Sequence, residues 1–266
     1  MALQFIQRAG AKIAYEVRGS GPPLFLLHPF PTNRHFWDSV SPSLELRYRL
    51  IVPDLRGHGE SGVGEGASMA HHAEDVFHIC REIDIKRAGF IGVSIGGYIL
   101  FEFWRKYKEV AALLVLSNTR AQVDSEEARM NRLKAADDVE KNGTASFFDS
   151  MVPKLLGETT RRNRPDIVSR ARTMMDAMSR NGLAAVQRGM AVRPDSVATL
   201  PLISVPTLII RGQEDALIPA QDAELMHGKI SGSALYAIPQ AGHYAPIEKP
   251  QEFLKVLRPF LDSRSW

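Results

Sequence analysis

The stretch GFIGVSIGGY, residues 89–98, decides the fold. An apolar, β-branched run ends in a lone serine set between glycines, Gly92-Val93-Ser94-Ile95-Gly96, and the helical pattern IGGYILFEFWRKY follows at once. Taken alone, a G-x-S-x-G pattern is common, and its serine reads as a turn residue. Its setting changes that reading, because strand, sharp turn and helix in succession make the frame of a nucleophile elbow. A serine held in such a turn has strained backbone angles. The residues two before and two after it must be small for strand and helix to approach, and Gly92 and Gly96 meet that need.

Outward from this turn, short apolar runs alternate with helical ones. LQFIQR and KIAYEVR, parted by Ala9-Gly10-Ala11, read as an opening hairpin, and PLFLLH, YRLIVPD, AGFIGVS, ALLVLSN, PTLIIRG and ALYAIPQ read as further strands. The segments 34–47, 68–84, 95–108, 219–229 and 247–261 have helical length and amphipathic spacing. Strands this apolar are covered on both faces. The expected class is therefore α/β, a mostly parallel, doubly wound sheet of about eight strands with helices on either side. Function then collects at the carboxyl ends of the strands. Between Ser117 and Val205 the alternation stops. Four helix-like segments, with Asn142-Gly143 and Asn181-Gly182 as breaks, predict a helical cap inserted after the sixth strand. The expected division is a core of residues 1–119 and 197–266 and a cap of residues 120–196.

Composition narrows the classes. A chain of 266 residues, 44% hydrophobic, is long enough for a large core, in one domain with an insertion or in two. The start lacks a basic segment followed by an apolar one, and no run approaches the ~18 apolar residues of a membrane span, so a soluble, cytoplasmic protein is expected. Cys80 is the single cysteine and sits in a helical pattern, where a buried apolar role is expected; no His/Cys cluster has metal-site spacing. The net charge of +3 lies within residues 120–195, which hold 14 Lys+Arg against 11 Asp+Glu. Acidic residues dilute RRNR at 161–164, which reads as a solvated helix face and not as a nucleic-acid site. Met130, Met151, Met174, Met175, Met178 and Met190 all fall in the same segment, where thioethers either line an adaptable pocket or pack helices together.

A serine hydroxyl needs a base to take its proton, and the base needs a third group to hold it. In IIRGQEDALIP, Asp215 sits just beyond an apolar strand; in AIPQAGHYAPIEKP, His243 lies in a loop beyond the next one. The order Ser, Asp, His suits this architecture. Glu214 and Asp222 compete with Asp215, but Glu214 points away if Asp215 points in, and Asp222 suits the start of a helix. Among the other histidines, His71, His72 and His78 fit helix faces and His58 fits the RGHGES turn, where Asp54, Arg56 and Gly57 look architectural.

Through LLHPFP, PDLRGHGESG, GVSIGGY, RGQEDALIP and AGHYAPIEKP, in that order and over nearly its whole length, the chain resembles the α/β-hydrolase family. The resemblance implies a triad of Ser94, His243 and Asp215, and an oxyanion hole from the backbone N–H groups of Ile95 and Phe30. The family usually shows His-Gly where this chain has His28-Pro29. Proline removes an N–H, so the expected donor is the next residue, Phe30, which Pro31 holds extended. The Phe30–Pro31 bond is a candidate for cis geometry, and His28 is expected to support the loop. Some relatives carry the acid after the strand ALLVLSN; Asn118 stands there and favours Asp215.

These roles imply attack on an acyl carbon and an acyl-enzyme cleared by water, with no metal and no organic cofactor. A serine nucleophile excludes the aspartate chemistry of haloalkane dehalogenases and epoxide hydrolases on the same fold. The expected substrate is a carboxylic ester of small to medium apolar compounds. Enol-lactone hydrolysis, C–C bond hydrolysis and cofactor-free perhydrolysis are alternatives on one triad, and a receptor-like ligand-binding member is the non-enzyme alternative. Phe147, Phe148, Met174, Met175 and Met178 are the candidate pocket residues, in a lid with no visible charged clamp. The expected partner is a small-molecule ester, with no nucleic acid and no membrane, and the chain is a monomer or homodimer.

Overall fold

The computed structural model describes residues 2–263. Its eight strands are β1 (Gln4–Arg8), β2 (Ala11–Arg18), β3 (Pro23–Leu27), β4 (Arg49–Pro53), β5 (Ala88–Val93), β6 (Ala111–Ser117), β7 (Thr207–Gly212) and β8 (Ala234–Ile238). They form one sheet in the order β1-β2-β4-β3-β5-β6-β7-β8. The opening hairpin and the β2–β4 pair are antiparallel and every other pair is parallel. Every residue of β5 and β6 is buried, as the unbroken apolar runs require of central parallel strands.

The helices are α1 (Ser41–Leu44), α2 (Met69–Glu82), α3 (Ile95–Tyr107), α4 (Glu126–Asn142), α5 (Ala145–Leu155), α6 (Glu158–Asn163), α7 (Pro165–Asp176), α8 (Arg180–Ala191), α9 (Ala220–Lys229), α10 (Ala245–Glu248) and α11 (Pro250–Asp262). Three expected spans are broken, each for a local reason. Over 34–47, a 3₁₀ turn at Arg34–Ser39 buries Phe36 and Trp37, and Pro42 then opens the separate α1. Over 247–261, Pro250 lacks an N–H and Lys249 before it is non-helical, so α10 and α11 are distinct. One of the four helix-like segments of the cap, RPDIVSRARTMMDAMSR over residues 164–180, ends early at Asp176. Ser179 caps α8 through Gly182 N–H at 3.0 Å, so Asn181-Gly182 opens a helix where a break is expected from its sequence.

All of α4 to α8 lie between β6 and β7, forming the helical cap. Within it α4 packs on α8, and α7 on α5 and α6. The chain leaves and re-enters the core through a narrow neck. Ser196 N–H donates to Ala121 C=O at 2.8 Å, Val123 N–H to Asp195 Oδ2 at 3.1 Å, and Arg193 Nη1 to Gln122 C=O at 2.9 Å.

Strand register aligns the loops that matter. Leu27 pairs with Gly92, Val93 with Ser117, Ser117 with Ile210, and Gly212 with Ile238. The residues that follow these strands, Phe30, Ser94, Asn118, Asp215 and His243, therefore leave the sheet at one carboxyl edge. In the RGHGES turn, Arg56 is fully buried and forks onto Asp75 at 2.6 and 2.8 Å, and Asp54 accepts from Arg34 and from Glu60 N–H, so these groups brace the fold. Cys80 is buried in α2, and burial pushes its thiol up to about 12. Among the described residues, no helix is long and apolar enough to cross a membrane.

Candidate active site

Ser94 stands between β5 and α3 with φ 55° and ψ −113°, a conformation that a side-chain-bearing residue adopts only when its surroundings impose it. Those surroundings are explicit. Ser94 N–H donates to Ser117 C=O at 3.0 Å, and Ser94 C=O accepts from Gly97 N–H at 2.9 Å and from the Thr119 hydroxyl at 2.8 Å. A methyl on Gly92 would lie 2.5 Å from the Gly96 backbone, and one on Gly96 would lie 2.7 Å from Leu27 O. Both positions must be glycine for strand and helix to meet at this angle.

The Asp215 carboxylate is fully engaged. Oδ2 lies 2.8 Å from His243 Nδ1 and accepts from Asn118 Nδ2 at 2.8 Å, and Oδ1 accepts from the N–H groups of Leu217 and Ile218 at 2.9 and 3.1 Å. Burial alone would raise its pKa, but the charge and hydrogen bond of His243, with Asn118 and Leu217, outweigh this and hold it below the usual aspartate value. With Nδ1 bound to Asp215, Nε2 is the ring nitrogen left to face the cavity that His243 and Ser94 both line. The rival carboxylates are occupied elsewhere. Glu214 accepts from the Thr159 N–H at 2.8 Å, and Asp222 accepts from Gln122 at 2.8 Å.

Phe30 belongs to a loop built around His28. Leu55 N–H donates to His28 Nε2 at 2.9 Å and Nδ1 donates to Pro29 C=O at 3.0 Å, a pattern that requires the neutral ring. Burial pulls its pKa down to about 4, which keeps it neutral. Phe30–Pro31 is cis, and Tyr244 OH donates to Phe30 C=O at 3.0 Å, tying this loop to the one that carries His243. Ile95 opens α3, where its N–H has no intrahelical acceptor.

Glu248 was not singled out in the sequence, yet it clamps the His243 loop. Its Oε1 accepts from the N–H groups of Gly242 and Tyr244, on either side of His243, both at 3.0 Å. Its Oε2 accepts from Gly157 N–H in the cap at 2.8 Å. Burial pushes its pKa above the ordinary glutamate value against these hydrogen bonds.

Ser94, His243, Phe30 and Tyr98 line a cavity of about 490 Å³ whose roof comes from the cap. Of the candidate pocket residues, only Phe147 reaches it, beside Met151, Leu155 and Met190. Phe148, Met174, Met175 and Met178 belong instead to the buried core of the cap, at 0, 5, 0 and 3% exposure. The cause is helical geometry: Phe147 and Phe148 are about 100° apart around α5, so one faces the cavity and the other the interior. The expectation of a lid with no visible charged clamp is also corrected, since Arg120, Arg132 and Lys154 line the cavity. Arg120 was legible in principle, as it follows the carboxyl end of β6. Glu248 and Arg132 carry no local signal.

The model of the alpha/beta hydrolase fold family matches residues 22–250. A thermophilic esterase from Thermogutta terrifontis, solved with malate bound, is 37% identical, with 98% of each chain covered and a TM-score of 0.94. A hydrolase from Pseudomonas aeruginosa is 28% identical over 97% of this chain and 98% of that one, with a TM-score of 0.88. The 3-oxoadipate enol-lactonase 1 of Acinetobacter baylyi is 26% identical over 98% of this chain and 97% of its own.

Proposed function

We propose that this chain, which belongs to the α/β-hydrolase fold family, hydrolyses carboxylic esters through an acyl-enzyme on Ser94. The observation that carries the reading is the convergence of Ser94 and His243 on one cavity, with His243 Nδ1 held 2.8 Å from Asp215. In this reading His243 Nε2 takes the Ser94 proton as Oγ attacks the acyl carbon, and Asp215 stabilises the imidazolium that forms. The N–H groups of Ile95 and Phe30 receive the oxyanion, where losing one donor costs about 3 to 4 kcal/mol of transition-state stabilisation. His243 returns the proton to the leaving alcohol, and water attacks the acyl-enzyme under the same base. The strained elbow keeps Oγ forward, and the fully engaged carboxylate keeps the imidazole in one tautomer.

The size of the cavity suits a small to medium substrate, and Phe30, Phe147, Met151 and Leu217 offer its apolar part a wall. The enol-lactonase relative supports a second reading on the same groups, in which the leaving oxygen remains tethered to the acyl product. A fluorophosphonate probe tests the common core. It is expected to label wild-type protein at Ser94 and to leave Ser94→Ala unlabelled, with ester turnover lost in the same variant. Labelling elsewhere, or turnover retained above about a thousandth of wild type, removes the assignment.

A further inference from the structure

The cavity wall carries unbalanced charge. Arg120, Arg132 and Lys154 line it beside Ser94 and His243, and among the described residues no aspartate or glutamate does so. Behind the wall a single carboxylate serves three guanidinium groups: Asp124 meets Arg120 at 3.0 Å, Arg132 at 2.5 Å and Arg193 at 2.8 Å. The cluster thus holds a surplus of two positive charges, on side chains only 25, 21 and 3% exposed. Such a surplus is costly away from water unless an anion completes it.

The three arginines are not equivalent. Arg193 sits over the Tyr98 ring at 4.3 Å, donates through Nη1 to Gln122 C=O and through Nη2 to Asp124, and lies outside the cavity lining; its buried Nε, like that of Arg120, has no partner among the described residues. Arg120 and Arg132 reach the cavity. Besides Asp124, Arg132 reaches only Gln187 Oε1 at 3.2 Å and Met190 Sδ at 3.5 Å among the described residues, both through Nη1, and the buried Nε of Arg120 has no partner among them. Each guanidinium has five N–H donors, so both retain capacity for a further acceptor. Their position is also fixed relative to the elbow. Arg120 directly follows Thr119, whose hydroxyl bonds Ser94 C=O at 2.8 Å, and lies beside Tyr98, one turn along α3 from Ser94. Lys154 is exposed at the end of α5, where a cation steers approach more than it binds.

We propose that Arg120 and Arg132 form an anion subsite, and that the preferred substrate is an ester or lactone bearing a free carboxylate, which they hold while its acyl carbon lies at Ser94. The proposal rests on the serine-hydrolase reading above and adds the substrate class. Planar guanidinium groups pair with carboxylates through parallel N–H donors, which fixes orientation as well as affinity.

The test uses matched pairs of esters that differ only in a carboxylate. Monomethyl and dimethyl adipate place the charge on the acyl side, and O-acetyl lactate and its methyl ester place it on the alcohol side. Wild type is expected to favour the anionic member of one pair, and that pair reports which side of the scissile bond the arginines hold. Arg120→Gln and Arg132→Gln are each expected to lower the anionic-to-neutral ratio of kcat/KM by about tenfold, and Arg132→Lys is expected to recover part of it. Melting curves confirm that each variant is folded. Where one is not, Lys154→Gln, at an exposed position, is expected to weaken the anionic member selectively and more so at low salt. Wild type without anionic preference, or a ratio unmoved in the folded variants, overturns the subsite while leaving ester hydrolysis standing. If no ester is turned over and no probe labels Ser94, the hydrolase reading fails instead. Calorimetric titration with adipate then decides the subsite separately: binding lost in the Arg120→Gln/Arg132→Gln double variant supports it, and no binding to wild type overturns it.

Discussion

Asn118 Nδ2 lies 2.8 Å from Asp215 Oδ2, the same oxygen that meets His243 Nδ1 at 2.8 Å. The end of β6 thus supplies a donor that supports the carboxylate at the end of β7. Asn118→Ala is expected to lower kcat about tenfold with little change in KM, the cost of one hydrogen bond to a charged group. Asn118→Asp is expected to be worse, because a second carboxylate beside Asp215 repels it. Steady-state kinetics and the rate of fluorophosphonate labelling check both; an unchanged labelling rate in Asn118→Ala would show that this contact does not serve the chemistry.

The strain at Ser94 has a cost in stability. Glycine adopts φ 55° and ψ −113° freely, so Ser94→Gly is expected to be inactive and about 1 kcal/mol more stable than Ser94→Ala, which keeps the strain. Comparison of the two melting temperatures decides this. Equal values mean that the turn is relaxed by its surroundings.

The two buried carboxylates give opposite pH dependences. Asp215, held below the usual value, contributes stability above about pH 4, and this is lost as pH falls through its folded pKa. Glu248, raised by burial, contributes most below about pH 4, and its contribution is lost as pH rises through its folded pKa. Glu248→Gln is expected to remove the second slope. It also replaces one acceptor oxygen by an NH₂ that cannot accept, facing either the Gly157 N–H or the N–H groups of Gly242 and Tyr244, at a cost of about 1 to 3 kcal/mol. Denaturant unfolding of both proteins from about pH 4 to about pH 8 measures the slope. Parallel profiles exclude Glu248 as its source.

Cap methionines and cavity residues separate by readout. Met174→Ala, Met175→Ala and Met178→Ala are expected to lose roughly 2 to 5 kcal/mol of stability through cavities in the cap core, with the short-to-long acyl preference unchanged. Met151→Ala and Phe147→Ala, on the cavity wall, are expected to shift that preference, with each methylene worth about 1 to 3 kcal/mol. A shifted preference in the first group would place it at the substrate.

What was legible in the sequence follows from the range of the forces involved. The strands, the elbow around Ser94 and the loop positions of Asp215 and His243 are written locally, in apolar runs, in glycines that allow close approach, and in strand ends. Phe147 and Phe148 are adjacent and chemically alike, and only the packing of α5 on α7 decides which one faces the cavity. Arg120 and Arg132 lie near Asp124 along the chain, but Arg193 joins them only once α4 lies on α8. Glu248 likewise joins Gly157 to Gly242, which lie far apart along the chain. The broken span over 34–47 reflects burial of Phe36 and Trp37 overriding the helical spacing.

The Ala121–Ser196 hydrogen bond makes the cap a cassette. A segment that departs and returns within 2.8 Å imposes no separation on the two strands it joins, so its length and content can change without altering the pairing of β6 with β7. The loops at the sheet's carboxyl edge hold the proposed reacting groups, and the cassette supplies the cavity walls around them. Recombination that carries Arg120 along with this segment could therefore exchange specificity between relatives as one unit, whereas a crossover between Arg120 and Arg193 would part Asp124 from one or more of its arginines.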